Sequence, residues 1–255
     1  MPFKTDFMLL NYLDNPILLL FIIPSILVAL TFHEYAHGYA AYKLGDPTAK
    51  NMGRLTLNPL KHLNLFGTLC MLLVGFGWAN PVPINARYFK NPRKGMAITA
   101  IAGPLSNLLL AIVSAFIFLL STRIAFFFTG MSFAYLCFYY LGMLFYVFHI
   151  MNLSLCFFNL FPIPPLDGYR VVSTLLPPKA LMWLYRNERK IQMGLFLWLF
   201  LGGRVCNALL ATSIVQSSAV LTFLIKFLSL SQWLSWLVNS TSDLIIHLFQ
   251  YIPFL

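Results

Sequence analysis

The apolar run from Ile17 to Phe32 contains no charged residue and passes directly into His33-Glu34-Tyr35-Ala36-His37. Such a run fits a membrane-spanning helix, because within a bilayer only a helix or a closed barrel satisfies its own backbone hydrogen bonds. If the helix continues through the HExxH pentad, its two imidazoles fall four residues apart on one face and can grip a single zinc ion. Glu34, one step round, can then reach a water on that metal. The pattern predicts hydrolytic metal chemistry at the edge of a membrane span. The plainer alternative is a pair of buried, hydrogen-bonded histidines. The run lacks a basic leader and a small-residue cleavage site, so it is read as a retained span and not a removable signal.

Whether the rest of the chain shares that environment is a question of composition. Hydrophobic residues make up 60% of the 255 residues and charged residues 9%, against roughly a quarter charged in soluble domains. Long apolar windows lie near 16–32, 97–121, 133–161, 191–202, 205–225 and 227–252, while 63–77 is short of the ~20 residues that a span needs. The expectation is an α-helical integral membrane protein with about six transmembrane helices. Residues 48–58 and 78–89 mix β-branched, small and Pro residues without helical periodicity, which suits a small membrane-associated β segment or an ordinary connecting loop. An edge strand there would hold an unwound substrate by β-augmentation.

The net charge of +10 does not signal nucleic acid, because the basic residues are spread between apolar spans and build no aromatic-interleaved basic face. They cluster at Lys43, Lys50, Arg54 and Lys61, at Arg87, Lys90, Arg93 and Lys94, and at Arg170, Lys179, Arg186, Arg189 and Lys190. The positive-inside rule places all three groups on the cytosolic side, with the N-terminus outside and segment 63–77 dipping in and returning. Cys70, Cys137, Cys156 and Cys206 have no CxxC spacing and read as small core residues. No linker or repeat divides the chain, so residues 1–204 are read as the core and 205–255 as additional C-terminal membrane segments, not an independent domain.

Catalytic zinc takes three protein ligands and leaves one position for water. Of the seven acidic residues, Asp6 and Asp14 lie near the N-terminus, Asp46 and Glu188 in polar stretches and Asp243 near the C-terminus, while Glu34 already has a role. Asp167 remains, in Asn159-Leu160-Phe161-Pro162-Ile163-Pro164-Pro165-Leu166-Asp167-Gly168. If 16–32 and 133–161 both run inward, HEYAH and Asp167 arrive at one depth. The alternative for Asp167 is a helix cap at the membrane surface.

HEYAH on the first span together with NLFPIPPLDG on a later one resembles the site-2 protease family of intramembrane zinc metalloproteases, over most of residues 17–190. Ala102-Gly103-Pro104-Leu105-Ser106-Asn107 and Gly75 to Asn85 are similar to further segments of that family, and the chain is similar to its compact branch without PDZ or CBS domains. The resemblance implies one zinc per chain held by His33, His37 and Asp167, with Glu34 as general base. It also implies that Asn159 contacts the substrate or its oxyanion. Asn159 has an alternative as an interhelical hydrogen bond, and Asn107 reads first as part of a close helix contact. The implied partners are transmembrane protein substrates and the lipid bilayer, and the implied location is the cell membrane of a prokaryote with the active site toward the cytosol. Two other readings stay open: a membrane zincin with a Glu as third ligand, for which only Glu188 is left, and a non-proteolytic membrane zinc-binding protein or transporter.

Overall fold

The computed structural model describes residues 16–67, 79–128, 132–212 and 229–251, together with 215, 217, 218, 221 and 225. The first apolar run is one helix, α1 (Pro16–Lys43), which carries the HExxH pentad in its second half. A short α2 (Thr48–Asn51) follows, then an irregular connection with 3-10 turns at Pro59–Lys61 and Ala86–Tyr88. Two long helices come next, α3 (Pro92–Phe126) and α4 (Phe133–Leu160). The chain continues as α5 (Asp167–Ser173), α6 (Pro178–Leu197), a π-helical turn at Trp198–Gly202, α7 (Gly203–Leu210) and α8 (Leu230–Gln250).

Helices α1, α3 and α4 are each long and apolar enough to cross a membrane, and the chain is a mainly helical integral membrane protein. The expected count of about six is not reached among the described residues. Window 191–202 is divided between the end of α6 and the π-helical turn. Window 227–252 becomes α8, whose Gln232, Asn239 and Asp243 lower its apolar character.

Lipid gives no hydrophobic drive for helices to associate, so close packing must come from small side chains and interhelical hydrogen bonds. The sequence of α3 supplies both. Its buried face is Gly95, Thr99, Ala100, Gly103, Pro104, Asn107, Ala111, Ser114, Ala115, Ser121 and Ala125, small residues recurring every three or four positions. This stripe lets α1 and α4 approach from either side. His37 bonds to Thr99 and Asn107 to Ala29, so α1 and α3 run antiparallel. Asn107 bonds to Asn152 and His149 to Ala111, so α3 and α4 do the same. Lys43, Pro92 and Leu160 therefore share one end of the bundle.

Helix α8 lays Val238 and Ile245 against Ala111, Ala115, Ile150 and Leu153. His149 pins it there. Its Nδ1–H donates to Ala111 O at 2.8 Å and its Nε2 accepts from the Ser242 hydroxyl at 3.0 Å, a packing role.

The β expectation is not met among the described residues. Within 48–58, residues Thr48–Asn51 are helical, because the buried Asp46 carboxylate accepts from the Thr48 amide and starts a turn. Within 79–89 the pairing is a single antiparallel bridge, Leu63 to Ala79, and Pro81 and Pro83 lack the N–H groups needed to extend a ladder. Segment 68–78, including most of the expected dip and Gly75 to Trp78, lies outside the described residues, as does Cys70. Cys156 and Cys206 are buried as expected, whereas Cys137 is exposed. His62 is buried, its Nε2–H donating to Thr56 O at 2.8 Å.

Candidate metal centre

One turn of α1 places His33 and His37 on the face that meets α3, and both are buried there. Asp167 reaches them from the first turn of α5, after the proline-rich break that ends α4. That break is tight enough to require Gly168: a Cβ on it would lie 2.1 Å from Leu160 O. The chain thus turns back on itself, and Asp167, buried, faces the imidazoles.

His33 Nε2 and His37 Nε2 are 3.1 Å apart, and each is 3.1 Å from Asp167 Oδ2. What lies behind the rings decides what these atoms are. His37 Nδ1 is 2.7 Å from the Thr99 carbonyl, so that nitrogen must carry the hydrogen and donate. His33 Nδ1 is 2.7 Å from Asn107 Oδ1. The Asn107 amide orientation is set in turn, since its Nδ2 donates to Ala29 O at 3.1 Å and to Asn152 Oδ1 at 2.8 Å. Asn152 Nδ2 donates to Phe148 O. Both ring hydrogens are therefore assigned to Nδ1 by their partners, and both Nε2 lone pairs point into the same small space as a carboxylate oxygen.

Three lone pairs converging at 3.1 Å repel one another unless a cation sits among them. For a tetrahedral ion with ligands at about 2 Å, the edge between ligand atoms is about 3.3 Å, so this triangle fits zinc and leaves a fourth position. Among the described residues, these three are the group able to hold a metal.

Glu34 lies beside the triangle, half-buried, with Oε2 accepting from the Val82 amide at 2.9 Å. Val82 is flanked by Pro81 and Pro83, so its N–H is the lone amide donor of that tripeptide. The segment bearing it is tied down on several sides. Arg54 donates to Asn80 O at 2.7 Å, Asn80 donates to His62 O and Leu63 O, and the Asn85 amide donates to Asp46. Val82 itself is buried against Gly38, where an added Cβ would meet Val82 Cγ1 at 3.1 Å.

Residues 21–201 match the family model of Peptidase family M50. The chain belongs to this family. As an M50 peptidase it is a metalloprotease, and its cofactor is zinc. It is 46% identical over 174 residues to YwhC of Bacillus subtilis (strain 168), whose name marks it as a candidate zinc metalloprotease, covering 66% of this chain and 75% of that protein. It is 31% identical over 171 residues to Rip2 of Mycolicibacterium smegmatis, similarly named, covering 62% of this chain and 58% of Rip2. Rip2 of Mycobacterium tuberculosis (strain H37Rv) matches at 31% over 165 residues with the same shares, so the chain spans less than two thirds of either Rip2 protein. No solved structure matches the chain.

In this M50 peptidase the structure brings His33, His37 and Asp167 together and sets Glu34 beside them. Asn159 lies on the last turn of α4, where its amide donates to Leu155 O of its own helix at 3.0 Å. Glu188, on α6, is not among the converging ligand atoms and accepts from Gln192 at 3.2 Å. Two residues that carry the site were not singled out for it from sequence, Asn107 and Asn152. The signal lay in the principle that a metal-bound histidine offers its second ring nitrogen to a fixed acceptor, which makes any asparagine on a neighbouring span a candidate partner.

Proposed function

We propose that this chain is an intramembrane endopeptidase that hydrolyses peptide bonds in or near the transmembrane segments of other membrane proteins. In this reading His33, His37 and Asp167 hold one zinc and Glu34 is the general base. The observation that carries it is the convergence of two imidazole lone pairs and a carboxylate oxygen, 3.1 Å apart, inside a bundle whose α1 is itself long enough to span. Bound zinc supplies a polarised water with a pKa near 7. The Val82 amide holds Oε2 of Glu34, leaving the other carboxylate oxygen to accept the water's proton. As the water oxygen adds to the peptide carbon and the C–N bond breaks, Glu34 returns that proton to the departing amine. Asn159, at the α4 end of the site, is the residue proposed to contact the substrate.

The same reading places α8 as a further helix of the bundle with its polar Ser242 turned inward, so that residues beyond 204 complete one unit with the core and form no separate domain. Location in a prokaryotic cell membrane, with the site toward the cytosol, is supported by the bacterial relatives and by the basic residues gathered where Lys43, Pro92 and Leu160 meet. Cleavage of single-span model substrates by the purified protein should stop on removal of zinc by a chelator and return on adding zinc back. Cutting that persists at full rate in metal-free protein would overturn the proposal.

Asn107 gives a prediction of its own. Asn107→Ala removes the acceptor that orients His33 and is expected to weaken zinc binding by about 10- to 100-fold, read by competition with a chromogenic chelator. Asn152→Ala, acting one hydrogen bond further back, should cost less. Unchanged zinc affinity in Asn107→Ala would show that His33 is oriented by other contacts.

A further inference from the structure

Helix α6 turns two faces to different surroundings. Ala180, Leu181, Leu184, Glu188, Ile191, Gln192 and Leu195 recur at three- and four-residue spacing and are half-buried or buried. Leu195 packs with Leu166, the residue before Asp167, and with Phe158, Phe161 and Ile163. The opposite face carries Lys179, Arg186, Arg189 and Lys190, all exposed, with Met182 at 57%, Trp183 at 61% and Tyr185 at 61% exposure. Among the described residues the ion pairs are those of the two histidines with Asp167, so these four cations have no acidic partner.

The position of α6 restricts what can cover that face. The chain leaves α4 at Leu160, the end shared with Lys43 and Pro92, and starts α6 shortly after. Five charged residues within α6 rule out a crossing, since each is costly at the bilayer centre. A helix that starts at the membrane surface, cannot cross it and carries exposed Met, Trp and Tyr beside its cations is suited to lie along that surface. Trp and Tyr rings favour the headgroup level, and Lys and Arg reach from there to lipid phosphates. We propose that the outward face of α6 is a binding surface for anionic phospholipid headgroups of the surrounding bilayer. The lipid-held helix braces, through Leu195 and Leu166, the segment that presents Asp167. The proposed surface does not depend on the proteolytic reading and is testable without turnover.

The test uses the full chain reconstituted in vesicles containing phosphatidylglycerol and phosphatidylcholine at one fixed ratio, with bromine on one lipid or on the other. The fluorescence difference between wild type and Trp183→Phe isolates the Trp183 signal. Quenching by brominated phosphatidylglycerol should exceed that by brominated phosphatidylcholine, per labelled lipid, by about two-fold or more. The excess should vanish in about 1 M salt, where the Debye length is about 3 Å, and in K179Q/R186Q/R189Q/K190Q. If the quadruple variant does not fold, the salt dependence of the wild type decides. Equal quenching by both lipids would overturn the proposal, and so would quenching by neither, the result expected if water or a second copy of the chain covers this face.

Discussion

Glu34→Gln is expected to keep its zinc and its fold while losing turnover by at least about 10²- to 10⁴-fold, the range for removing a general acid–base group. The geometry separates these outcomes. The three ligand atoms belong to His33, His37 and Asp167, so the substitution leaves the metal triangle intact. Oε2 of Glu34 accepts from the Val82 amide, and the carboxamide oxygen of glutamine can accept from the same donor, which keeps the overlying segment in place. What is lost is the second oxygen's ability to take a proton from water. Zinc per chain and the cleavage rate of a single-span substrate, measured on the same preparations, check the prediction. A Glu34→Gln enzyme that cuts at the wild-type rate would remove Glu34 from the chemistry.

Gly103→Ala is expected to destroy the metal site as completely as loss of a ligand. A Cβ at this position would lie 2.4 Å from His37 Nε2, 2.5 Å from His37 Cε1 and 2.7 Å from His33 Cε1. These are contacts that real Cβ atoms do not make, and the first is to a ligand atom. Neither ring can step aside cheaply, because His37 Nδ1 is bonded to Thr99 O and His33 Nδ1 to Asn107 Oδ1. Rotation away from the methyl group breaks those bonds and disperses the three lone pairs. Helix propensity works in the opposite direction: alanine within a helix is favoured over glycine by about 1 kcal/mol. The variant should therefore retain its helical content while zinc affinity falls by about 100-fold or more and cleavage drops to background. Circular dichroism and zinc titration on one sample separate site loss from unfolding. Wild-type zinc affinity in Gly103→Ala would mean that the rings have room the structure does not show.

Much of the bundle was legible because the bilayer imposes a simple rule. An apolar run must be helical in lipid, so the runs at 16–32, 97–121 and 133–161 lie within or nearly match α1, α3 and α4, with α1 continuing through the HExxH pentad to Lys43. Strand and connecting loop could not be told apart from sequence, because β-branched and proline-containing stretches lack helical periodicity whether they form strands or irregular straps. The choice fell to Asp46, which starts the turn at Thr48, and to Pro81 and Pro83, which cannot donate to a ladder. Three of the expected spans are found among the described residues, and part of window 205–225 lies outside them. In α8, Ser242 faces inward to His149.

Local sequence by itself determined that His33 and His37 share a face with Glu34 one step round, since i and i+4 share a helix face wherever the helix goes. It also singled out Asp167, because a lone carboxylate is hard to place in apolar surroundings without a partner. Tertiary structure alone decided how these groups are held. Asn107 and Asn152 on two different helices orient His33, a backbone carbonyl at Thr99 orients His37, Gly103 makes room for both rings, and Val82 caps Glu34. Each is a contact across 45 or more positions of chain, formed where antiparallel helices happen to come level. Hydrogen bonds of this kind depend on the register between helices, and side-chain packing sets that register only once the bundle has assembled.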